Sequence, residues 1–131
     1  MLNNLKQMKI FATAVNCMDG RVQEPVSKYL KRNFAVDFVD MITELGPDKI
    51  IAEESEAYKL GSIKQRLEVS IEKHESKIIA MVGHAGCFGN PVEKNIQIAQ
   101  ILQSSATLKK WYPEVQIIPL WIGEDWVVEP I

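Results

Sequence analysis

Four stretches of the chain are short, rich in β-branched residues and almost wholly apolar: Lys9 to Asn16, Phe34 to Asp40, Lys77 to Gly83 and Val115 to Ile122. They alternate little between apolar and polar positions, which is the pattern of strands buried on both faces. Helical spacing fills the gaps between them. Val22, Val26, Tyr29 and Leu30 predict a helix over Val22 to Arg32, with Pro25 in its first turn. Leu60, Ile63, Leu67 and Ile71 lie three and four apart in Glu53 to Glu75, where Gly61 is the place for a division into two helices. A third helix is predicted from about Val92 to Lys110, presenting Ile96, Ala99, Ile101, Leu102 and Leu108, with Asn90 as its cap and Pro91 at its first position. Met41 to Glu54 is ambiguous: Gly46-Pro47-Asp48 signals a turn, and Ile50-Ile51 fits a short helix or an extended connection. Glu124-Asp125 turns the chain into a short edge strand at Trp126 to Glu129.

This alternation of strand and helix predicts an α/β fold, a three-layer sandwich around a four- to five-stranded, mainly parallel sheet. With 131 residues, no internal repeat and no linker composition, residues 1–131 are expected to form one domain. The apolar fraction of 47% and charged fraction of 24% exclude a disordered chain. The net charge of −2 gives no pull toward nucleic acid or an anionic membrane. Polar residues from Asn3 to Lys9 interrupt any signal-peptide run, and no stretch approaches ~18 uncharged apolar residues. Two cysteines are too few for a disulfide scaffold, so a cytoplasmic protein with reduced thiols is expected.

Both cysteines fall at strand ends, where sites gather in parallel α/β sheets. The first motif is Cys17-Met-Asp19-Gly-Arg21. In an extended chain, positions i, i+2 and i+4 share a face, so a thiolate, a carboxylate and a guanidinium would enter one crevice. The second is His84-Ala-Gly-Cys87, between Gly83 and Gly89. A tight, glycine-permitted turn lets its His and Cys bind one ion. Together Cys17, His84 and Cys87 form a two-cysteine, one-histidine set, an arrangement used for catalytic zinc when the fourth position is open. Two thiolates neutralise Zn²⁺ and weaken its acidification of water, so a nearby proton acceptor matters more. Asp19 is placed to be that acceptor, or a fourth ligand that closes the site. Arg21 is placed to orient it through a bidentate pair. The plainer readings are buried thiols and a structural ion pair beside a turn.

Cys-x-Asp-x-Arg after the first strand and His-x-x-Cys after a later one is the paired signature of the β-class carbonic anhydrases, and the sequence resembles that family at both motifs. The resemblance implies zinc at Cys17, His84 and Cys87, and reversible hydration of carbon dioxide to bicarbonate by hydroxide on zinc, a carbonate dehydratase (lyase) activity. It implies that Asp19 alternates between pairing with Arg21 and capping the metal. It also implies a homodimer or higher homo-oligomer. The sequence departs from the family at several places. The first strand begins about eight residues in, so the usual N-terminal helical arm is expected to be missing. Asp40 to Gly46 replaces the usual Arg-Asn-Ala-Gly-Asn segment. No counterpart of the family's bicarbonate-positioning glutamine is evident, and Phe88-Gly89-Asn90-Pro91 follows the second motif. Two alternatives stay open: a zinc-binding homologue closed by Asp19 and without turnover, and hydrolysis of a related small molecule such as carbonyl sulfide or carbon disulfide.

The remaining features read more simply. His74 is expected to be a solvated or helix-end cation. Gly83, Gly86 and Gly89 lack the Lys-Ser/Thr of a phosphate loop. Trp111, Tyr112, Trp121 and Trp126 are expected to be core anchors or a dimer surface. Glu53, Glu54 and Glu56 are expected to form a solvated first helical turn.

Overall fold

The computed structural model describes residues 9–131. Most of the Met1 to Ile10 stretch, to which the signal-peptide expectation applied, lies outside the described residues. The apolar runs become the strands β1 (Phe11–Cys17), β2 (Phe38–Glu44), β3 (Ile78–His84) and β4 (Gln116–Ile122), with a short β5 (Val128–Pro130). The sheet order is β2-β1-β3-β4-β5. The first four strands are parallel, and β5 closes the edge antiparallel to β4.

Successive side chains leave a strand on opposite faces, and each face has its own cover. Ala12 and Ala14 of β1 and Ala80 and Val82 of β3 pack against Val22, Val26 and Leu30 of the helix α1 (Gly20–Phe34). Val15, Ile79 and Met81 face the other way, toward α2 (Pro47–Glu53), α3 (Ala57–Glu68) and α4 (Lys94–Trp111). The expected three-layer sandwich is therefore present, with one helix on one face and three on the other. Among the described residues, no helix is long and apolar enough to cross a membrane.

Several expectations are corrected. The second strand starts at Phe38, not Phe34, because α1 runs on to Phe34. There Ala35 turns the chain in the left-handed conformation, and Phe34 packs on Tyr29. Asp37 then ties the start of β2 to β1, its carboxylate accepting from the Ile10 amide at 2.8 Å. Since α1 begins at Gly20, Pro25 falls in its second turn rather than its first. Ile50-Ile51 belongs to the short helix α2. Gly61 lies inside α3 without dividing it. The break comes earlier, at Glu54 and Glu56, whose positive φ angles of 48° and 51° end α2 and begin α3. The acidic run is thus a helix junction and not a first turn. At its far end α3 widens into one π-type turn, Val69–Lys73.

Helix α4 is rotated from the expected face. Ile101 and Leu108 are buried, but Ile96, Ala99 and Leu102 are exposed, and Gln97 and Ser104 are buried in their stead. The cause is polar: Gln97 donates through Nε2 to the His84 carbonyl at 2.7 Å, which pins the helix to the end of β3. Asn90 does not cap α4. Its amide donates to Gln100 Oε1 at 2.6 Å, and Glu93 occupies the cap position.

Candidate metal centre

Cys17 ends β1 and His84 ends β3, and these strands are parallel neighbours. The sheet therefore brings the two motifs to the same carboxyl-terminal edge. Gly86, at φ 69°, reverses the chain after His84 so that Cys87 returns to the strand ends. A second close approach seats that loop. A Cβ on Gly89 would lie 2.5 to 2.7 Å from Leu45 atoms, so the β2–α2 loop rests directly on a bare backbone.

The result is a buried cluster in which the ligand atoms of Cys17, His84 and Cys87 all lie within 4.8 Å of one another. The two sulfurs are 3.8 Å apart, and both cysteines are free. His84 Nδ1 lies 2.8 Å from the Ala85 carbonyl, which can only accept. Nδ1 therefore donates to that carbonyl, and in the neutral ring the lone pair is on Nε2. Nε2 is buried and makes no hydrogen bond among the described residues.

The electrostatics follow from crowding. The Cys87 thiol beside Cys17 pulls the Cys17 thiol well below its ordinary value, with help from His84 and against the effect of burial. The same contact, with burial, pushes the Cys87 thiol upward. Burial alone would lower His84, but the Cys17 sulfur and the Ala85 carbonyl raise it overall.

Asp19 and Arg21 meet, though not as an extended strand would place them. The extended run stops at Cys17, because Asp19 caps α1, its Oδ1 accepting from the Arg21 amide at 2.9 Å. Arg21 Nε and Nη2 then reach Oδ1 and Oδ2 at 3.1 and 2.7 Å. This bidentate guanidinium holds the Asp19 carboxyl down at about 2. With both oxygens so engaged, Asp19 lies outside the 4.8 Å set of ligand atoms.

Sequence reasoning missed several residues here. Gln23 donates to the carbonyls of Cys17 and Asp19 at 2.7 and 2.8 Å and fixes the loop between them. Trp126 lies under Arg21, with the guanidinium carbon 4.3 Å from the ring centroid. Asp48, Asn90 and Gln97 are buried, with Gln97 on the His84 carbonyl, Asp48 beside Gly83 and Asn90 beside Gly46. A glutamine two residues past Arg21 was visible in the sequence, but nothing local marked the other four. His74 lies at a helix end, as expected, and its Nδ1 is 2.7 Å from Asp40 Oδ2. Trp121 is a core anchor, as expected.

Over residues 7–131 the sequence matches the family profile described as "Putative carbonic anhydrase". The chain belongs to this carbonic anhydrase family. Solved β-carbonic anhydrases share its fold. One, from a study of two tetrameric β-carbonic anhydrases of the filamentous ascomycete Sordaria macrospora, aligns at a TM-score of 0.64 with 9% identity, over 100% of this chain and 85% of that one. Another, the β-carbonic anhydrase CafA of the fungal pathogen Aspergillus fumigatus, aligns at 0.52 with 11% identity, over 100% and 80%. At these identities the likeness concerns the fold. No curated relative matches the chain in sequence. The chain is thus a divergent β-carbonic-anhydrase-like member of the family.

Proposed function

We propose that this protein is a zinc-dependent lyase that interconverts carbon dioxide and bicarbonate. One observation carries the reading: a buried imidazole nitrogen with no hydrogen-bond partner among the described residues, facing two thiols within 4.8 Å. An apolar core does not leave such an atom without compensation, and a soft divalent ion supplies it. The donor set of two sulfurs and one imidazole nitrogen fits zinc. Cys17, His84 and Cys87 would hold the ion, and its contribution is Lewis acidity that makes water nucleophilic near neutral pH.

The remaining work belongs to side chains of this chain. Hydration of carbon dioxide adds one water and releases one proton. Asp19 accepts a hydrogen bond from the attacking water and orients it. Held at about 2 by Arg21, the carboxylate does not retain the proton, which passes to solvent. Arg21 fixes the direction of both carboxylate oxygens. The bidentate pair favours an open fourth position over the closed reading, because Asp19 must leave Arg21 to become a ligand. Met18, Leu45 and Phe88 rim the site at 61%, 43% and 88% exposure. A second copy of the chain is the occupant we assign to this apolar rim. The tetrameric state of the Sordaria enzymes supports that assignment.

Zinc analysis joined to stopped-flow hydration of carbon dioxide tests the proposal. We expect about one zinc per chain and a zinc-dependent rate that rises from neutral to mildly alkaline pH. Absence of any zinc-dependent rate across that range retires the lyase reading. Turnover of carbonyl sulfide alone would move the activity to that substrate. Light scattering of Phe88→Ser should report a smaller species than the parent protein.

A further inference from the structure

Trp126 adopts a backbone conformation that a bulky side chain rarely accepts, with φ at 60°. The other described non-glycine residues at positive φ are Ala35, Glu54 and Glu56, which cap helices, and Glu75, which directly follows the cap of a helical segment. Trp126 does neither. It closes the turn between β4 and β5, with its amide donating to the Gly123 carbonyl at 3.1 Å and the Val127 amide donating to Asp125 Oδ1 at 3.1 Å. Left-handed backbone at a residue with a large Cβ substituent persists only where the surroundings impose it, and such residues collect at working sites.

In that conformation the indole lies under Arg21. The guanidinium carbon is 4.3 Å from the ring centroid, and the same ring lies 6.2 Å from the His84 ring. Arg21 is therefore gripped on two sides, its fork by the Asp19 carboxylate and its face by Trp126. The grip is needed because the Arg21 side chain is 58% exposed. An exposed ion pair between mobile side chains has little persistence of its own. A planar guanidinium stacked on an aromatic face loses that freedom.

We infer that Trp126 is a positioning residue: by clamping Arg21 it keeps the Asp19 carboxylate on the arginine and away from Cys17, His84 and Cys87. The inference rests on the proposed metal site and adds to it the device that holds the fourth position open. Trp126 also lies beside the His84 ring, and its effect on Asp19 is exerted through Arg21.

The first test needs no metal. In the metal-free protein, exchange of the Arg21 Nε proton is measured by NMR for the parent, Trp126→Gly and Trp126→Phe. Glycine accepts the positive φ, so the turn survives its introduction, and phenylalanine keeps an aromatic face. We expect exchange to quicken by about two- to fivefold in the glycine variant, the scale of an exposed cation–π contact, and to stay near the parent rate in the phenylalanine variant. An unchanged rate in Trp126→Gly overturns the clamp. The second test uses the cobalt-loaded protein. The visible spectrum of Trp126→Gly should shift as an oxygen ligand is added, and the shift should vanish when Asp19→Asn is combined with it. A parent-like spectrum in Trp126→Gly overturns the effect on Asp19. If no form of the protein binds cobalt, the metal proposal falls, while the proton-exchange result still decides the clamp.

Discussion

Two buried polar clusters lean on the same strand, β1, and they are built on opposite principles. One gathers at Thr13, the other at Cys17, a separation of four residues or roughly 13 Å along an extended chain. At Thr13 the hydroxyls and charges satisfy one another. Ser70 donates to Asp40 Oδ2 at 2.7 Å, His74 Nδ1 sits 2.7 Å from the same oxygen, and Ser76 donates to the Ile78 carbonyl at 2.9 Å. Thr13 donates to Ser76 Oγ at 2.8 Å, and its hydroxyl lies 2.6 Å from Ser70 Oγ, a contact in which either oxygen can donate. At the strand end the opposite holds. His84 Nε2, Asp48 Oδ2, Asn90 Oδ1 and Gln97 Oε1 are buried without partners, and none of the Thr13 cluster shares that state. A self-satisfied cluster needs nothing from outside and serves the fold. A cluster with orphaned atoms carries an unmet polar cost, and the rest of the core sustains it.

The largest expected effect breaks the unsatisfied side. Cys17→Ser or His84→Ala removes one of three ligand atoms, and near-complete loss of bound zinc is expected by elemental analysis. The parent should also gain thermal stability from zinc, by about 2.7 kcal/mol at a hundredfold excess over Kd. Neither variant should respond. Metal retained by both variants would refute the ligand set. Asp19→Asn should behave differently, keeping its zinc and losing most of its turnover. Equal losses of both would make Asp19 a structural ligand.

A second effect sharpens the comparison without touching a ligand. Asp48 is a carboxyl buried on the ligand side, and burial raises it to about 6. Its Oδ2 and Gln97 Oε1 both point at the bare α-carbon of Gly83, each within 3 Å of where a Cβ would sit. Two acceptors facing one spot is unfavourable unless one carries a proton. Between its ordinary value of 3.8 and about 6, folded Asp48 keeps a proton that the unfolded chain has released. Stability of the metal-free protein is therefore highest below this window and falls as pH rises through it, by up to about 3 kcal/mol. Asp48→Asn supplies a donor at every pH. It should flatten that slope in urea unfolding and stabilise the protein by a similar amount above the window.

The sequence made the ligand side legible in its chemistry and illegible in its support. The meeting of Cys17, His84 and Cys87 was readable because both motifs end apolar strand runs and His84 and Cys87 are three apart, and β1, β3 and β4 were readable because doubly buried parallel strands are continuous apolar runs. The shift of β2 came from Phe34 and Val36, apolar residues that seal the end of α1 instead of continuing a strand. The face of α4 was misread because Gln97 is buried for the sake of a carbonyl on another element. Trp126, Asp48 and Asn90 acquire their roles only through tertiary neighbours, so no spacing rule finds them.

On the satisfied side, Thr13→Val keeps the shape of the side chain and removes the hydroxyl that joins Ser70 to Ser76. A loss of about 1–3 kcal/mol is expected in chemical unfolding, with zinc content unchanged. A fall in zinc would show that the two clusters are coupled through β1.

The smallest effect is expected at the rim of that same cluster. His74 stacks on Phe11 with centroids 4.2 Å apart, and its side chain is 40% exposed. His74→Phe retains the stack and removes only the contact to Asp40. Asp40 keeps the Ser70 hydroxyl, and its own side chain is 26% exposed, so water can take the vacated place. A cost of no more than about 1 kcal/mol follows, the scale of an exposed pair. Urea unfolding of this variant against the parent measures it. A loss as large as that of Thr13→Val would mean that Asp40 depends on His74, and that the cluster is closed by its exposed edge rather than by its buried hydroxyls.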